Sequence, residues 1–208
     1  MASCIVVVGD GSWDHGVRGS GVRAEVDRSV AEFHAIDLEA GATVVVHVGE
    51  APSVHVACDD NLLSRVETTV QNGVLSIDVR GSCKFRSGLE LVVGTPSLER
   101  FTIEGSGDVR IESLAADRIE LAIEGSGSLR ATGTARSLVG SIEGSGSLEL
   151  AELAADAAKL SIEGSGSMSV HATKTLRYSI EGSGSIRYSG EPDVNGEIDG
   201  SGSVERSR

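Results

Sequence analysis

Large rings are nearly missing from this sequence: it has one Trp, two Tyr and three Phe among 208 residues. A rounded core of that size normally leans on more of them, so a thin core of aliphatic rows fits better. No run approaches the roughly 20 consecutive apolar residues that a membrane-spanning helix needs. No Lys/Arg cluster is present, and 31 acidic against 18 basic side chains leave a formal net charge of −13. That charge repels phosphate backbones and removes nucleic acid from the candidate partners. Proline is scarce, at 3 residues, whereas glycine is plentiful, at 27. With 39% hydrophobic residues at regular places, the chain is too apolar to stay disordered.

Cysteine is also sparse, with Cys4, Cys58 and Cys83 as the full set. Met1-Ala2-Ser3-Cys4 resembles the small-residue tail that precedes a lipoprotein cysteine. On that reading Cys4 is a lipidation candidate and the membrane is met only through an anchor. On the other, Cys4 is an ordinary residue beside the apolar run Ile5-Val6-Val7-Val8. Cys58 and Cys83 are either a bonded pair in an oxidising compartment or two buried free thiols.

What the sequence does have is a repeat. Ile103-Glu104-Gly105-Ser106-Gly107 recurs as Ile123 to Gly127, Ile142 to Gly146, Ile162 to Gly166, Ile180 to Gly184 and, with Asp199, Ile198 to Gly202. The starts are 20, 19, 20, 18 and 18 residues apart. That period is too short for helical hairpins or propeller blades and suits one coil of a β-solenoid. Around each copy apolar residues alternate: Phe101, Leu121, Leu160 and Tyr178 two positions before the Ile, and Val109, Leu129, Leu148, Met168, Ile186 and Val204 after the turn. Alternation of this kind marks strands with one face inward. The predicted corners are therefore Gly105-Ser106-Gly107, Gly125-Ser126-Gly127, Gly144-Ser145-Gly146, Gly164-Ser165-Gly166, Gly182-Ser183-Gly184 and Gly200-Ser201-Gly202.

Stacked at about 4.8 Å, equivalent residues form columns. The isoleucines are expected to line up inside, and the corner serines to pass hydroxyl hydrogen bonds along the stack or to cap corner amides. The Leu114-Ala115-Ala116-Asp117 and Leu153-Ala154-Ala155-Asp156 pieces are too short for helices and read as turns that absorb changes in coil length. The first hundred residues are less regular. Strand candidates lie near Phe33–Leu38, Thr43–Val48, Ser53–Cys58, Arg65–Val70, Val74–Val79 and Leu89–Val93, with a hairpin signal at Asn72-Gly73. Gly19-Ser20-Gly21 and Gly81-Ser82-Cys83 read as degenerate corners.

These corners, most typically Gly105-Ser106-Gly107-Asp108-Val109, occur with Asp59-Asp60-Asn61-Leu62-Leu63 and Val74-Leu75-Ser76-Ile77. In these features the chain is similar to the bacterial auto-transporter adhesin head GIN domain family, over roughly Phe33 to Val204. The resemblance implies a right-handed parallel β-helix, often exported and often lipid-anchored. It divides the chain into an N-terminal segment, 1–30, holding the remnant of a lipoprotein signal plus a linker, and a solenoid over 31–208 with regular repeats across 101–204. The sequence departs from the family in having Ser128, Ser147, Ser167, Ser185 and Ser203 where Asp follows the corner.

The candidate site is the column Glu104, Glu124, Glu143, Glu163, Glu181 and Asp199, which alternation places outside. Like charges about 4.8 Å apart repel by roughly 0.9 kcal/mol per pair in bulk water. Flanking Arg110, Arg130, Arg177 and Arg187, or solvation alone, would offset this. Hard oxygen ligands also suit Ca²⁺. Calcium is the minor reading, because the corners lack the Gly-Gly-x-Gly-x-Asp nonapeptide, and no other cofactor is expected. Gly-Ser-Gly without a following helix is not a phosphate loop, and no catalytic constellation is recognisable. Of the five histidines, His47 and His55 alone are placed to face one another across a hairpin. The expectation is a non-catalytic extracytoplasmic module in the periplasm or at the cell surface. It would bind envelope polysaccharide or protein, with a self-associating scaffold and a carbohydrate-active β-helix enzyme as alternatives.

Overall fold

The structure, a computed structural model, describes residues 16–207, so Cys4 lies outside the described residues. Two short strands, β1 (Val17–Arg18) and β2 (Arg23–Arg28), precede β3 (Ala35–Leu38), β4 (Thr43–Val48) and β5 (Ser53–Asp59). A single 3-10 turn, Leu63–Arg65, leads to β6 (Val66–Gln71), β7 (Val74–Val79), β8 (Cys83–Lys84) and β9 (Glu90–Thr95). The regular half comprises β10 (Arg100–Gly105), β11 (Asp108–Gly125), β12 (Ser128–Gly144), β13 (Ser147–Gly164) and β14 (Ser167–Gly182). It closes with β15 (Ser185–Ser189), β16 (Asp193–Gly200) and β17 (Ser203–Arg206).

The chain is a parallel β-solenoid. Each of β11 to β14 runs almost a whole coil from one Gly-Ser-Gly corner to the next and pairs in parallel with the coils above and below. All six isoleucines stack as neighbours, and the column continues into the first half through Leu38 and Ile77. Seven of these eight residues are at most 1% exposed, and Ile198 on the last coil is 41% exposed. Each fully buried member contributes roughly 2 kcal/mol. After the corner a second column joins Val44, Val109, Leu129, Leu148, Met168, Ile186 and Val204. Gly140 occupies the column of Phe101, Leu121 and Leu160, where the Leu160 and Leu148 side chains fill the space a Cβ would need.

The corner needs its two glycines for different reasons. Gly144 has φ 122, and a Cβ there would sit 2.5 Å from the Gly125 carbonyl oxygen of the coil below. A Cβ on Gly146 would sit 2.7 Å from Cγ2 of Ile123. Backbone conformation and close approach demand the first, and packing against the isoleucine column demands the second. The serine between them meets neither constraint. The corner amides are satisfied by backbone and not by serine hydroxyls as anticipated: the N–H groups of Ser126, Ser145, Ser165, Ser183 and Ser201 each donate over 2.8 Å to the first glycine carbonyl of the preceding coil. Hydroxyl contacts between coils occur two residues on, at two separate pairs, where Ser128 donates to Asp108 and Ser167 donates to Ser147 at 3.3 Å.

Two sequence expectations are corrected. Leu114-Ala115-Ala116-Asp117 and Leu153-Ala154-Ala155-Asp156 are strand and not turn, because their neighbours above and below supply ladder partners. Coil-length differences are absorbed at register shifts beside or within them, between Ile111 and Leu114, Arg130 and Gly133, Leu150 and Ala154, and Ala155 and Ala157. At the first of these Ser113 takes φ 60. The true degenerate corner is Ala40-Gly41-Ala42: Leu38 pairs with Ile103, Thr43 pairs with Asp108, and the Asp108 amide donates to the Ala42 carbonyl at 2.8 Å.

The N-terminal end closes each long face with antiparallel strands. On the isoleucine face β3 pairs with β7, and β7 with β6 through the hairpin whose turn residues Asn72 and Gly73 both take positive φ, 53 and 78. On the other face β4 pairs with β9, β9 with β5 and β5 with β2. Within the 1–30 segment, residues 23–28 are thus an outer strand of this end and not a linker.

Candidate functional site

The predicted acidic residues come together. Strict register places Glu104, Glu124, Glu143, Glu163, Glu181 and Asp199 in one row on the outside, every one exposed. The row is longer than the repeat reveals. Glu39 follows Leu38, its amide donates to Ile77 at 2.9 Å, and it therefore lies beside Asp78, which pairs with Glu67 across the hairpin. Nine carboxylates thus lie side by side across eight parallel levels and one antiparallel strand, at about the strand spacing of 4.8 Å. Glu39, Asp78 and Glu67 were missed because no Gly-Ser-Gly marks them. Their position just after an inward Leu or Ile was the available signal for the first two.

Crowding has an electrostatic consequence at one position. Partial burial raises the Glu104 carboxyl above the ordinary glutamate range, and the negative charges of Glu39, Glu124 and Asp37 add to the rise. The expected arginine compensation is not arranged along the row. Arg110 and Arg130 stack on each other beyond the corner, on the other face, where Arg130 reaches Glu149 at 3.8 Å and also Glu152. Arg187 shares that face, opposite Glu205. Arg177 is on the acidic face but four residues upstream, level with Lys159 and Asn195. Between that row and the carboxylates runs a strip of small side chains, Thr102, Ala122, Ser141, Ser161 and Ser179. The face therefore carries a carboxylate row and a mixed row containing Arg100, Lys159 and Arg177, with small side chains between them.

Other candidates resolve into structural roles. His47 and His55 do not face one another, because β9 lies between their strands: His47 is opposite Gly94 and His55 opposite Val92. His55 instead sits 2.7 Å from Asp27 and 3.6 Å from Glu25, and His47 lies 3.4 Å from Glu112. Cys58 is buried, Cys83 half-buried, and both thiols are free. Burial pushes the Cys58 thiol up from its ordinary value, with the Asp59 charge acting in the same direction. Among the described residues no three His, Cys, Asp or Glu side chains converge as a metal-binding group. On the third side of the coils a recess of about 500 Å³ is lined by the stacked Ala116, Ala135 and Ala155. Ion pairs between Arg136 and Asp117 at 3.2 Å and between Lys174 and Asp156 at 2.9 Å lie at its rim.

Asp59-Asp60-Asn61 and Gly19-Ser20-Gly21, singled out separately in the sequence, meet in the structure. Gly19-Ser20-Gly21 is a loop and not a corner. A Cβ on Gly19 would sit 2.4 Å from the Asp59 carboxylate, whose oxygens accept from the amides of Gly21 at 2.6 Å, Arg86 at 2.8 Å and Ser87 at 3.2 Å. Asn61 accepts from the Ser20 amide at 2.9 Å and donates to the Arg18 carbonyl at 3.0 Å. Burial alone would push the Asp59 carboxyl up, but the backbone donors of Arg86, Gly21 and Ser87 overcome this and hold it below the ordinary aspartate range. The motif is a clasp that fastens the N-terminal strands to the stack.

Solved bacterial proteins share this build. A solved Bacteroides fragilis protein described as a putative adhesin superposes with a TM-score of 0.76 at 22% identity, covering 92% of this chain and 100% of its own. A Parabacteroides distasonis protein described as a putative adhesin gives 0.57 at 24% identity, with 92% and 100% covered. A further protein from the same species, described as a putative lipid binding protein, gives 0.57 at 22% identity, with 92% and 99% covered. These identities carry the fold alone. No curated protein matches the sequence. The family profile described as "Putative auto-transporter adhesin, head GIN domain" matches residues 32–192, most of the solenoid and its N-terminal closure, and the chain belongs to that family.

Proposed function

We propose that the protein is a non-catalytic binding module that works outside the cytoplasm and uses its stacked outer face as a multivalent contact surface. The observation that carries this reading is the nine-carboxylate row held in strict register by the ladder beneath it. Apart from Glu67 and Asp199 at the two ends, each carboxylate is attached to a strand paired on both sides, which holds the spacing of the row. A rigid repeat of weak charges gains by summation over many contacts while conformational entropy is already spent. The partner chemistry that fits is a basic protein surface or an envelope polysaccharide carrying positive groups. Family membership supports an adhesin-like role at the cell surface.

The test is an array of immobilised polysaccharides and basic protein surfaces, read for both binding and product formation, with wild type and the Glu124→Gln/Glu143→Gln/Glu163→Gln variant. Binding that weakens with salt and falls about tenfold in the variant is expected. Binding unchanged by the triple substitution would remove the acidic face from the reading, and turnover of any glycan would remove the non-catalytic role.

A further inference from the structure

The two ends of the stack are built differently. At the N-terminal end both faces finish in antiparallel strands, β6 on one and β2 on the other. At the C-terminal end, among the described residues, no strand pairs with the outer edges of β16 and β17. All eight residues of β16 are exposed, and the two columns of side chains buried elsewhere end at Val194, 36% exposed, and Ile198, 41% exposed. In a parallel ladder alternate residues turn their N–H and C=O groups to the same neighbour. Ser201 donates to Gly182 on the inner side, so Val194, Gly196 and Ile198 turn their backbone groups to the open edge. Gly196 leaves room for the Tyr178 ring, whose Cγ and Cδ2 lie 2.6 Å from where a Cβ would be, so the floor of the edge is apolar.

The outward residues of the same strand decide what can dock. Asp193, Glu197 and Asp199 line β16, and Glu205 stands on β17. A second copy meeting this edge about a two-fold axis would set acidic strand against acidic strand, and like charges directly opposite destabilise a sheet. Each copy also carries a net charge of −13. We propose instead that β16 is a strand-addition site for an extended polypeptide segment of alternating apolar and basic residues. Its apolar side chains cover Val194, Tyr178 and Ile198, its Lys or Arg side chains lie beside Asp193, Glu197 and Asp199, and its backbone completes the free hydrogen bonds. This site meets the acidic face at Asp199, which belongs to both, but it depends on the free backbone edge of β16, which the acidic face does not use.

The experiment uses the full chain and three labelled peptides read by fluorescence anisotropy. They are Lys-Val-Lys-Leu-Lys-Ile-Lys, the same sequence with Glu for every Lys, and the basic peptide N-methylated at the amides that would face β16. Saturable binding of the first is expected, with both others at least about tenfold weaker. The variant Glu197→Lys/Asp199→Lys should reverse the order of the two unmethylated peptides. Val194→Pro, which removes an edge donor, should abolish binding while leaving the far-ultraviolet dichroism of the fold unchanged. Equal binding of the methylated peptide would mean diffuse attraction to the acidic row and would overturn the proposal. Failure of the basic peptide to bind would overturn it too, as would a dimer in sedimentation that competes with the peptide.

Discussion

Replacing Gly144 with alanine puts a methyl group 2.5 Å from the Gly125 carbonyl oxygen and asks an L-residue to hold φ 122. The backbone conformation alone costs roughly 1–3 kcal/mol. That carbonyl also accepts the Ser145 amide at 2.8 Å, so relieving the clash stretches an inter-coil hydrogen bond. We expect a loss of about 3 kcal/mol in unfolding free energy. Gly146→Ala, at a negative φ, has to push Cγ2 of Ile123 back from 2.7 Å and also meets the Gly127 carbonyl oxygen at 2.9 Å, overpacking that costs about 2 kcal/mol. Ser145→Ala touches an exposed hydroxyl and should change stability by less than about 0.5 kcal/mol. Urea titration followed by far-ultraviolet dichroism, with slopes compared among the three variants, measures the series. The reasoning is refuted if Ser145→Ala is the most damaging of the three, or if Gly144→Ala falls below about 1 kcal/mol.

Ile142→Ala, in mid-column and 1% exposed, should cost about 3 kcal/mol in the same titration, whereas Ile198→Ala, 41% exposed, should cost about 1. Glu104 has a folded-state pKa above its unfolded value, so its ionisation opposes folding. Stability attributable to it is fully present below the unfolded pKa and is lost as pH rises through the folded one. Glu124→Gln should lower the Glu104 midpoint in a carboxyl-carbon NMR titration. Asp59 has the opposite sign: its contribution is present above the unfolded carboxylate pKa and is lost as pH falls through the depressed folded value. Asp59→Asn should therefore flatten the low-pH limb of the stability curve and speed hydrogen exchange in β2 relative to β12.

The regular half was legible because its constraints repeat: a glycine fixed by φ, a glycine fixed by contact, and an inward isoleucine recur every coil, so spacing alone exposed the ladder. Ala40-Gly41-Ala42 performs the same bend without that signature, since neither alanine takes a positive φ and both methyl groups are buried where the regular corners have glycine. Gly19-Ser20-Gly21 carries the signature without the bend, because its first glycine answers to the Asp59 carboxylate and not to a coil beneath. The antiparallel closure was hidden for a different reason. β5 and β9 alternate like any half-buried strand, and alternation says nothing of strand direction or partner. For the site, the six marked carboxylates were placed correctly outside, but their three N-terminal companions and the actual arginine positions depend on which strands become neighbours.

The register shifts between Ile111 and Leu114, Arg130 and Gly133, and Leu150 and Ala154 have a consequence for how such a molecule changes. Residues gained or lost there leave the corner glycines, the isoleucines and the carboxylates at the same height, since the slack is taken up before the chain returns to the next corner. One flank of the molecule is thereby free to vary coil by coil while the opposite flank keeps a fixed ruler of charge, and foreign segments grafted into the permissive flank should leave that ruler undisturbed.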